Sequence, residues 1–436
     1  MLPMCSRRPK LLPTERRRGG CGIGTRIRCL TLVLAFATAL TAQDAESTAP
    51  AICGELTQRD DIDVLTLHGS LVEQGFAEGY LTAERIHDLF RHFALSDRVL
   101  PAPVLWSVLV VPRTAKRLEL PPWVRPWCEA VLAGIEARDA DLLEIPELKR
   151  ELTVDDLVAC AALPDFIGLA CSSFVAFGEA VDGEGPVAAR NLDYRSTPEL
   201  LRHTMVIVRG PRDGRAGWVS IGWPGIAGCL TGVSERGVFA AIHDVRAKAL
   251  PDLRITPRPI ALQELIETLE PREAPPDEAA AILRRFRYGL GGNFMLAWRG
   301  RSAARAGAAV FEVWPAAELA DGVTLRLPAD GDDFVVCSNH HRARIEPEPE
   351  CWRYAAIHDH LVREHRPFDL AAGLAVVQRA EVPGTLYQVA VDLGDSALAL
   401  RLRRVPAEDR WDVAGNWKVE ELLHAATPRD ASAAGR

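Results

Sequence analysis

Three side chains near the middle of the chain have the types and the spacing that nucleophilic catalysis needs. Cys171 lies in a short apolar run at residues 170–176, and Arg190 and Asp193 lie in the next such run. A guanidinium beside a thiol lowers the pKa of the thiol, and a carboxylate can orient a neighbouring group. Cysteine is also among the residue types most often simply buried. The pattern therefore predicts a cysteine nucleophile, with a structural strand cysteine as the alternative.

The run that holds Cys171 marks a change in the pattern along the chain. Before it, apolar residues recur at helical spacing over 83–93 and 127–135, and Thr153 with Asp156 has the spacing of a capping box. After it, short apolar runs bounded by glycine, proline or aspartate predict strands. Helices are predicted among these strands over 261–269, 277–286 and 369–379. Strand blocks without βαβ alternation favour a layered α+β fold over a doubly wound sheet.

The composition bounds the class of protein. The 436 residues carry a net charge of −8, and 48% of them are apolar. These values fit a folded chain with a sizeable core and argue against a general nucleic-acid binder. The sequence has no Cys-x-x-Cys pair, and the neighbours His340 and His341 would point to opposite faces of a strand, so we expect no metal site. We expect a small-molecule substrate, no cofactor and no nucleic-acid partner.

Residues 1–42 differ sharply from the rest of the chain. An arginine-rich stretch precedes an apolar run at 29–42 with small residues near its end, which is typical of a signal peptide. The run is too short to cross a bilayer comfortably, so we expect export to the periplasm or the extracellular space and no stable membrane span. Beyond it the cysteines are odd in number, which leaves at least one free thiol. At the other end, composition predicts a disordered tail over residues 425–436.

The segments around Cys171 resemble the N-terminal-nucleophile hydrolases of the penicillin acyltransferase type, which are relatives of acid ceramidase and the bile salt hydrolases. The residues 171–176 (CSSFVA) and 190–194 (RNLDY) are similar to that family's nucleophile strand and its arginine-aspartate strand. Weaker fragments follow the same order along most of the chain. They are found at 68–79, 223–225, 232–237, 292–294, 338–340 and 384–387.

The resemblance implies a four-layer αββα sandwich that is made as an inactive precursor. It implies self-cleavage between Ala170 and Cys171, so that a helical N-terminal segment (43–170) and a catalytic segment (171–424) stay associated as two chains. The new α-amino group of Cys171 would then act as the base for its own thiol.

The resemblance also assigns roles by position. Arg190 would favour the thiolate, and Asp193 would accept hydrogen bonds from the amine. Asn293 would donate to the oxyanion, with a turn asparagine as the alternative. His243 and Arg353 would contact the substrate, with a packed strand-end histidine and a surface helix arginine as the alternatives.

These assignments imply an exported amidase or acyltransferase that acts on a linear C–N amide other than a peptide bond, with a small N-acyl amide as substrate. One alternative is an unprocessed thiol hydrolase that uses a separate histidine such as His243. Another is a non-catalytic binding protein on the same scaffold. Asn339 and His340 form a cysteine-protease-like set with Cys171, but adjacent strand residues face opposite ways, so we interpret the pair as structural.

Overall fold

The protein is described here by a computed structural model. It covers residues 51–427 apart from 116, 169, 195–196, 246–253, 272–274, 301–305, 316–321, 344–349, 365–366, 405–410 and 412. The predicted signal peptide (1–42) and residues 428–436 of the predicted tail lie outside the described residues.

Nine strands of the described chain form the larger sheet. Numbered along the chain and given in order across the sheet, they are β1 Gly54–Arg59, β2 Ile62–Leu67, β7 Met205–Arg209, β8 Trp218–Gly222, β9 Thr231–Ser234, β10 Val238–Val245, β11 Gly291–Trp298, β12 Gly307–Val313 and β13 Val323–Arg326. Neighbours are antiparallel except β2 and β7, which are parallel. Residues 64–170 are predicted to be mainly helical after one short strand. That strand is β2, and it forms a hairpin with β1, which was not predicted, so the hairpin extends the larger sheet.

Six strands form the second sheet. In order across it they are β14 Phe334–Cys337, β5 Ala170–Ala176, β6 Val187–Asp193, β15 Thr385–Asp392, β16 Ala397–Leu402 and β17 Val413–Lys418. The two predicted site strands, β5 and β6, are antiparallel neighbours, with Cys171 opposite Leu192 and Ser173 opposite Arg190. A separate two-stranded ladder joins β3 Glu144–Ile145 and β4 Arg150–Glu151.

Helices of the described chain lie between the strands along the sequence and after the last strand. They are α1 Leu71–Leu81, α2 Ala83–Leu89, α3 Val111–Thr114, α4 Val124–Arg138, α5 Val154–Ala161, α6 Leu163–Ile167, α7 Pro198–His203, α8 Arg258–Thr268, α9 Pro275–Leu283, α10 Trp352–Arg363, α11 Leu370–Gln378 and α12 Val419–Ala425. Within the described ranges, none of them is both long and apolar enough to cross a membrane. The predicted capping box is confirmed, because Thr153 and Asp156 make both of its hydrogen bonds. The predicted tail begins too early, because Ala425 ends α12 and the next residue is fully buried.

The layers follow from the alternation of side chains along β5. Cys171 and Val175 belong to the core between the two sheets, whereas Phe174 and Ala176 pack with α10 and α11 on the outer face. Helix α8 contacts β9 and β10, and α1 contacts β1 and β2, on the larger sheet. Strands β5 and β10 contact each other across the sandwich. The order is helices, sheet, sheet, helices, which confirms the predicted α+β four-layer αββα fold and places the Cys171 side chain between the sheets.

Candidate active site

The Cys171 side chain is fully buried between the sheets and contacts a positive charge. Its Sγ accepts a hydrogen bond from Nη2 of Arg190 at 2.9 Å. Burial raises the pKa of the thiol to about 11, and the guanidinium opposes that shift. In the uncleaved chain the thiol is therefore neutral at physiological pH, and its guanidinium partner cannot accept a proton.

Arg190 is anchored to the larger sheet. Its Nη2 also donates to the carbonyl of Ile242 at 3.1 Å, and its Nη1 donates to Oγ1 of Thr231 at 2.6 Å and to the carbonyl of Leu230. Tyr387 shares a hydrogen bond with the same Thr231 hydroxyl. A fully buried guanidinium with this many acceptors has a fixed direction. It is therefore positioned to stabilise a thiolate on Cys171 without moving.

The backbone of Cys171 is held by side chains. Its N–H donates to Oδ1 of Asn339 at 2.8 Å, and its carbonyl accepts from Nη1 of Arg353 at 2.9 Å. Arg353 Nη2 also donates to Oδ1 of Asn339, and Asn339 donates to the carbonyl of Asp244. The interpretation of Asn339 as a structural residue therefore missed its direct contact with the nucleophile. Arg353, predicted to contact substrate, is placed at the nucleophile itself.

Strand pairing explains why Asn339 was missed. Strand β14 ends at Cys337, which is opposite Ser173, so the residues after it run alongside the start of β5. Continuing the antiparallel register by two residues brings Asn339 beside Cys171. The sequence signals were the family-like fragment at 338–340, the set that Asn339 and His340 form with Cys171, and the position just after an apolar strand, and none of them reveals which strand is the neighbour.

Asp193 accepts hydrogen bonds from Oγ1 of Thr385 at 2.6 Å and from Nη1 of Arg353 at 3.0 Å. Burial raises its pKa to about 6, although Thr385 and both arginines act in the opposite direction. It is thus mainly a carboxylate at neutral pH. In the uncleaved chain its link to Cys171 runs through Arg353, because the N–H of Cys171 is used by Asn339. A direct contact with a free amine stays a prediction for the cleaved chain.

Asn293 has a different place from the predicted one. Its Nδ2 donates to the carbonyls of Ser338 and His340, both at 2.9 Å. An amide group has two hydrogens, so none is left to stabilise an oxyanion in this arrangement. The two bonds hold the loop that presents Asn339. Asn293 therefore positions a residue that contacts Cys171, and its role at an oxyanion stays a prediction that would need one of these two bonds to break.

His243 binds a residue of β5 in this structure, and its predicted contact with a substrate stays a prediction. It is fully buried, and its Nε2 shares a hydrogen bond with Oγ of Ser173 at 2.6 Å. Burial lowers its pKa well below the ordinary value, so the ring is neutral. Ser173 lies two residues from Cys171 on the same face of β5. The hydrogen bond of His243 goes to Ser173 and not to the thiol. The alternative in which this histidine is a separate base therefore gains no support from it.

The predicted cleavage point lies at the start of β5. Ala170 is the first residue of the strand and pairs with Asp193. Just before it, helix α6 is capped by Gly168, whose φ of 79° lies in the left-handed region that favours glycine. The described part of the chain contains no cluster of three or more histidine, cysteine, aspartate or glutamate residues that could hold a metal ion.

Comparison with known proteins yields partial structural similarity. No family model and no curated protein matches the sequence. The chain is similar to the Caenorhabditis elegans ortholog of N-acylethanolamine-hydrolyzing acid amidase, with 18% identity over 51% of this chain and 93% of that one and a TM-score of 0.39. Penicillin V acylase from Agrobacterium tumefaciens has 15% identity over 54% of this chain and 84% of its own, with a TM-score of 0.38. A conjugated bile acid hydrolase from Clostridium perfringens has 10% identity over 58% of this chain and 94% of its own, with a TM-score of 0.35. At these scores, the case for a function rests on the geometry of the site.

Proposed function

We propose that this chain is an exported N-terminal-nucleophile cysteine hydrolase that cleaves itself between Ala170 and Cys171 and then hydrolyses a linear C–N amide. One observation supports this most directly. The thiol, the backbone N–H and the carbonyl of Cys171 are each bound by a polar side chain, from Arg190, Asn339 and Arg353 respectively. A strand residue with a purely structural role normally uses its backbone groups in ladder hydrogen bonds.

The proposed cleavage begins with attack of the Cys171 thiol on the carbonyl carbon of Ala170. An S–C bond forms, the C–N bond breaks, and the thiol proton passes to the departing nitrogen, which becomes the α-amine of Cys171. Water then adds to the thioester, which restores the thiol and leaves a carboxylate on Ala170. Asn339 already accepts a hydrogen bond from that nitrogen, so the leaving group is held before the bond breaks.

Cleavage supplies the base that the uncleaved site lacks. An α-amine has an ordinary pKa of about 7.7–8.0, so roughly a tenth to a sixth of it is unprotonated at pH 7 and can take the thiol proton. Arg190 would stabilise the thiolate as it attacks a substrate carbonyl. The acyl-thioester would then be released by water. Transfer to an acceptor amine would need a pocket that excludes water, so hydrolysis is the proposed reaction.

Access of substrate requires the thiol to be uncovered, because Cys171 is fully buried in the uncleaved chain. Cleavage would free the end of the segment that stops at Ala170. The earlier part of that segment would stay attached, because β2 pairs with β7 over Val64 to Leu67. We therefore propose that the two chains remain associated and that a small N-acyl amide reaches the thiol after the freed end moves.

The test is the intact mass and N-terminal sequence of purified protein. Wild type is expected to give a chain that begins at Cys171, Cys171→Ala is expected to stay whole, and Cys351→Ala serves as a matched cysteine control that is still cleaved. The cleaved protein is then assayed against a panel of N-acyl amides. A wild-type chain that stays whole refutes self-processing. A cleaved chain in which Cys171 resists alkylation and no amide is hydrolysed favours the binding-protein alternative.

A further inference from the structure

We propose that Arg258, the first residue of α8, is a positioning residue for cleavage of the Ala170-Cys171 bond. This inference rests on the proposed self-cleavage and extends it to a residue that does not contact the nucleophile. The Arg258 side chain is only 1% exposed. It connects the helix before the cleavage point to the strand end that holds the nitrogen of the bond to be cleaved.

On the upstream side, Arg258 binds α6 through three donors. Its Nε donates to Oδ1 of Asp165 at 2.5 Å, its backbone N–H donates to Oδ2 of the same carboxylate at 3.1 Å, and its Nη2 donates to the carbonyl of Pro164 at 3.2 Å. Asp165 is itself fully buried. Helix α6 ends at Ile167, so this anchor lies only a few residues before Ala170.

On the downstream side, the same guanidinium binds the paired ends of β10 and β11. Its Nη2 lies 2.6 Å from Oδ1 of Asp244, and its Nη1 donates to the carbonyl of Gly291 at 2.8 Å. The backbone carbonyl of Asp244 accepts from Nδ2 of Asn339, and Oδ1 of Asn339 accepts from the nitrogen of Cys171. A continuous set of polar contacts therefore runs from α6 through Arg258 to the peptide nitrogen that cleavage would release.

This connection matters because the attack depends on distance. The thiol and the carbonyl carbon must lie about 3–3.5 Å apart with the right alignment, and a misplacement of about 1 Å can cost about 10²-fold in rate. The thiol is fixed by β5 and Arg190, and Ala170 is the first residue of the same strand, which begins two residues after Gly168 at the end of α6. Holding α6 against the same strand ends that hold Asn339 fixes both reacting groups in one frame.

The identity of residue 258 follows from the acceptors. Side-chain donors of a planar fork reach Asp165, Asp244 and two carbonyls at once, which an ammonium group cannot do. The adjacent strand residue is Gly292, where an added Cβ would lie 2.9 Å from Nη1 of Arg258. The absence of a side chain at that position lets the guanidinium approach the strand end.

A purely structural ion pair would also be buried, so the test needs a matched control. Arg212 pairs with Glu267 at 2.9 Å, and both side chains are nearly inaccessible. Glu267 lies near the opposite end of α8 from Arg258. Loss of either arginine is expected to lower the melting temperature, because each loss removes an ion-pair partner from a buried carboxylate; Glu267 keeps Arg215 at 2.9 Å when Arg212 is replaced.

The experiment follows the appearance of the chain that begins at Cys171 after cell-free synthesis of full-length wild type, Arg258→Met, Arg258→Lys, Asp165→Asn and Arg212→Met. Rates are measured well below the melting temperature of each variant. We expect about 10²-fold slower cleavage in Arg258→Met, slower cleavage in Arg258→Lys and Asp165→Asn, and the wild-type rate in Arg212→Met. If Arg258→Met does not fold, Asp165→Asn and Arg258→Lys decide the question.

Three results would overturn the proposal in different ways. Wild-type cleavage rates in the folded variants at 258 and 165 would refute the role of Arg258 and leave self-cleavage standing. Equal slowing in Arg212→Met at matched stability would reduce Arg258 to a structural ion pair. An uncleaved wild-type chain would instead refute the proposed function on which the inference depends.

Discussion

Two cysteines near Arg353 lie in opposite environments. Cys171 is buried between the sheets, and burial raises the pKa of its thiol to about 11 against the charge of Arg190. Cys351 is partly exposed at the N-terminus of α10. Burial also raises its pKa, but the side chains of His340 and Ser338 and the backbone N–H of Tyr354 outweigh that effect and lower the pKa to about 6. Of these two thiols, Cys351 is therefore the more ionised, although Cys171 is the one that lies among the site residues.

The contrast between the two thiols indicates what cleavage would add to the proposed site. A thiol that is ionised before processing would react with any electrophile that reaches it. A buried neutral thiol beside a fixed guanidinium needs a base to take its proton before it can attack a substrate repeatedly. In the proposed mechanism that base is the α-amine of Cys171, which does not exist until Ala170 is released. On the proposed mechanism, the environment of Cys171 in the uncleaved chain is that of a precursor, and the guanidinium of Arg190 is the part of the proposed active site already in place.

The largest effect is expected when the charge beside Cys171 is removed. Arg190→Met leaves the developing thiolate in a buried site without its partner, so cleavage and amide hydrolysis should each fall by about 10²–10³-fold. The rate of appearance of the chain that begins at Cys171 measures the first, and hydrolysis of the best substrate measures the second. Arg363→Met, a change on an exposed arginine of α10, is the control. Wild-type rates in Arg190→Met would show that the charge has no part in activating the thiol.

A smaller effect is expected at the other cysteine. In Cys171→Ala, the rate of iodoacetamide labelling of Cys351 should rise with pH around a midpoint of about 6, because the thiolate is the reactive form. At pH 7 about nine-tenths of Cys351 should be thiolate in the folded protein, against about 3% in denaturant, where the thiol has an ordinary pKa of about 8.5, so labelling should be faster in the folded protein. Peptide mapping by mass spectrometry assigns the site, and Cys351→Ser is the blank. A midpoint near 8.5 in the folded protein would remove the contrast between the two cysteines.

The smallest effect near neutral pH concerns Asp193. Because its pKa in the folded chain is raised to about 6, the carboxyl gains a proton as pH falls through 6 and loses its charge toward Arg353. The rate of cleavage should be half its maximum at about pH 6 and fall about tenfold for each pH unit below that. Stability should follow the opposite trend for this group: its folded pKa exceeds its unfolded one, so protonation between about pH 6 and 4 favours the folded state.

Asp193→Asn separates the two trends. The variant should remove the step in the cleavage rate near pH 6 while the melting temperature, followed over the same range, loses the contribution of this carboxyl. An unchanged step near pH 6 in Asp193→Asn would assign that ionisation to another group.

Several parts of the fold could be predicted because their signals are local. The helix over 127–135 lies within α4, the capping box at Thr153 forms as expected, and the strands around Cys171 and Arg190 are β5 and β6. Strands β1, β3, β4, β9, β13 and β17 were not predicted. Strand β9 is short and contains Thr231, a hydrogen-bond partner of Arg190, so the missed strand also hid one support of the site.

The site residues divide in the same way. Cys171, Arg190 and Asp193 are found from the sequence because they lie on two consecutive strands that form a neighbouring pair. Asn339, Thr385 and Arg258 come from distant segments, and each makes its contact through a strand end or a helix start that tertiary packing brings there.

The candidate nucleophile, its adjacent charged partners and the α+β class can be predicted from the sequence, because residue type, alternation and the order of neighbouring segments are properties of the chain. Tertiary structure sets what each partner binds. It assigned the backbone N–H of Cys171 to Asn339 and turned both amide hydrogens of Asn293 toward a loop. It also buried the thiol and Asp193 deeply enough to raise both pKa values. Hydrogen-bond partners and desolvation depend on segments that meet only after folding, and no local spacing encodes them.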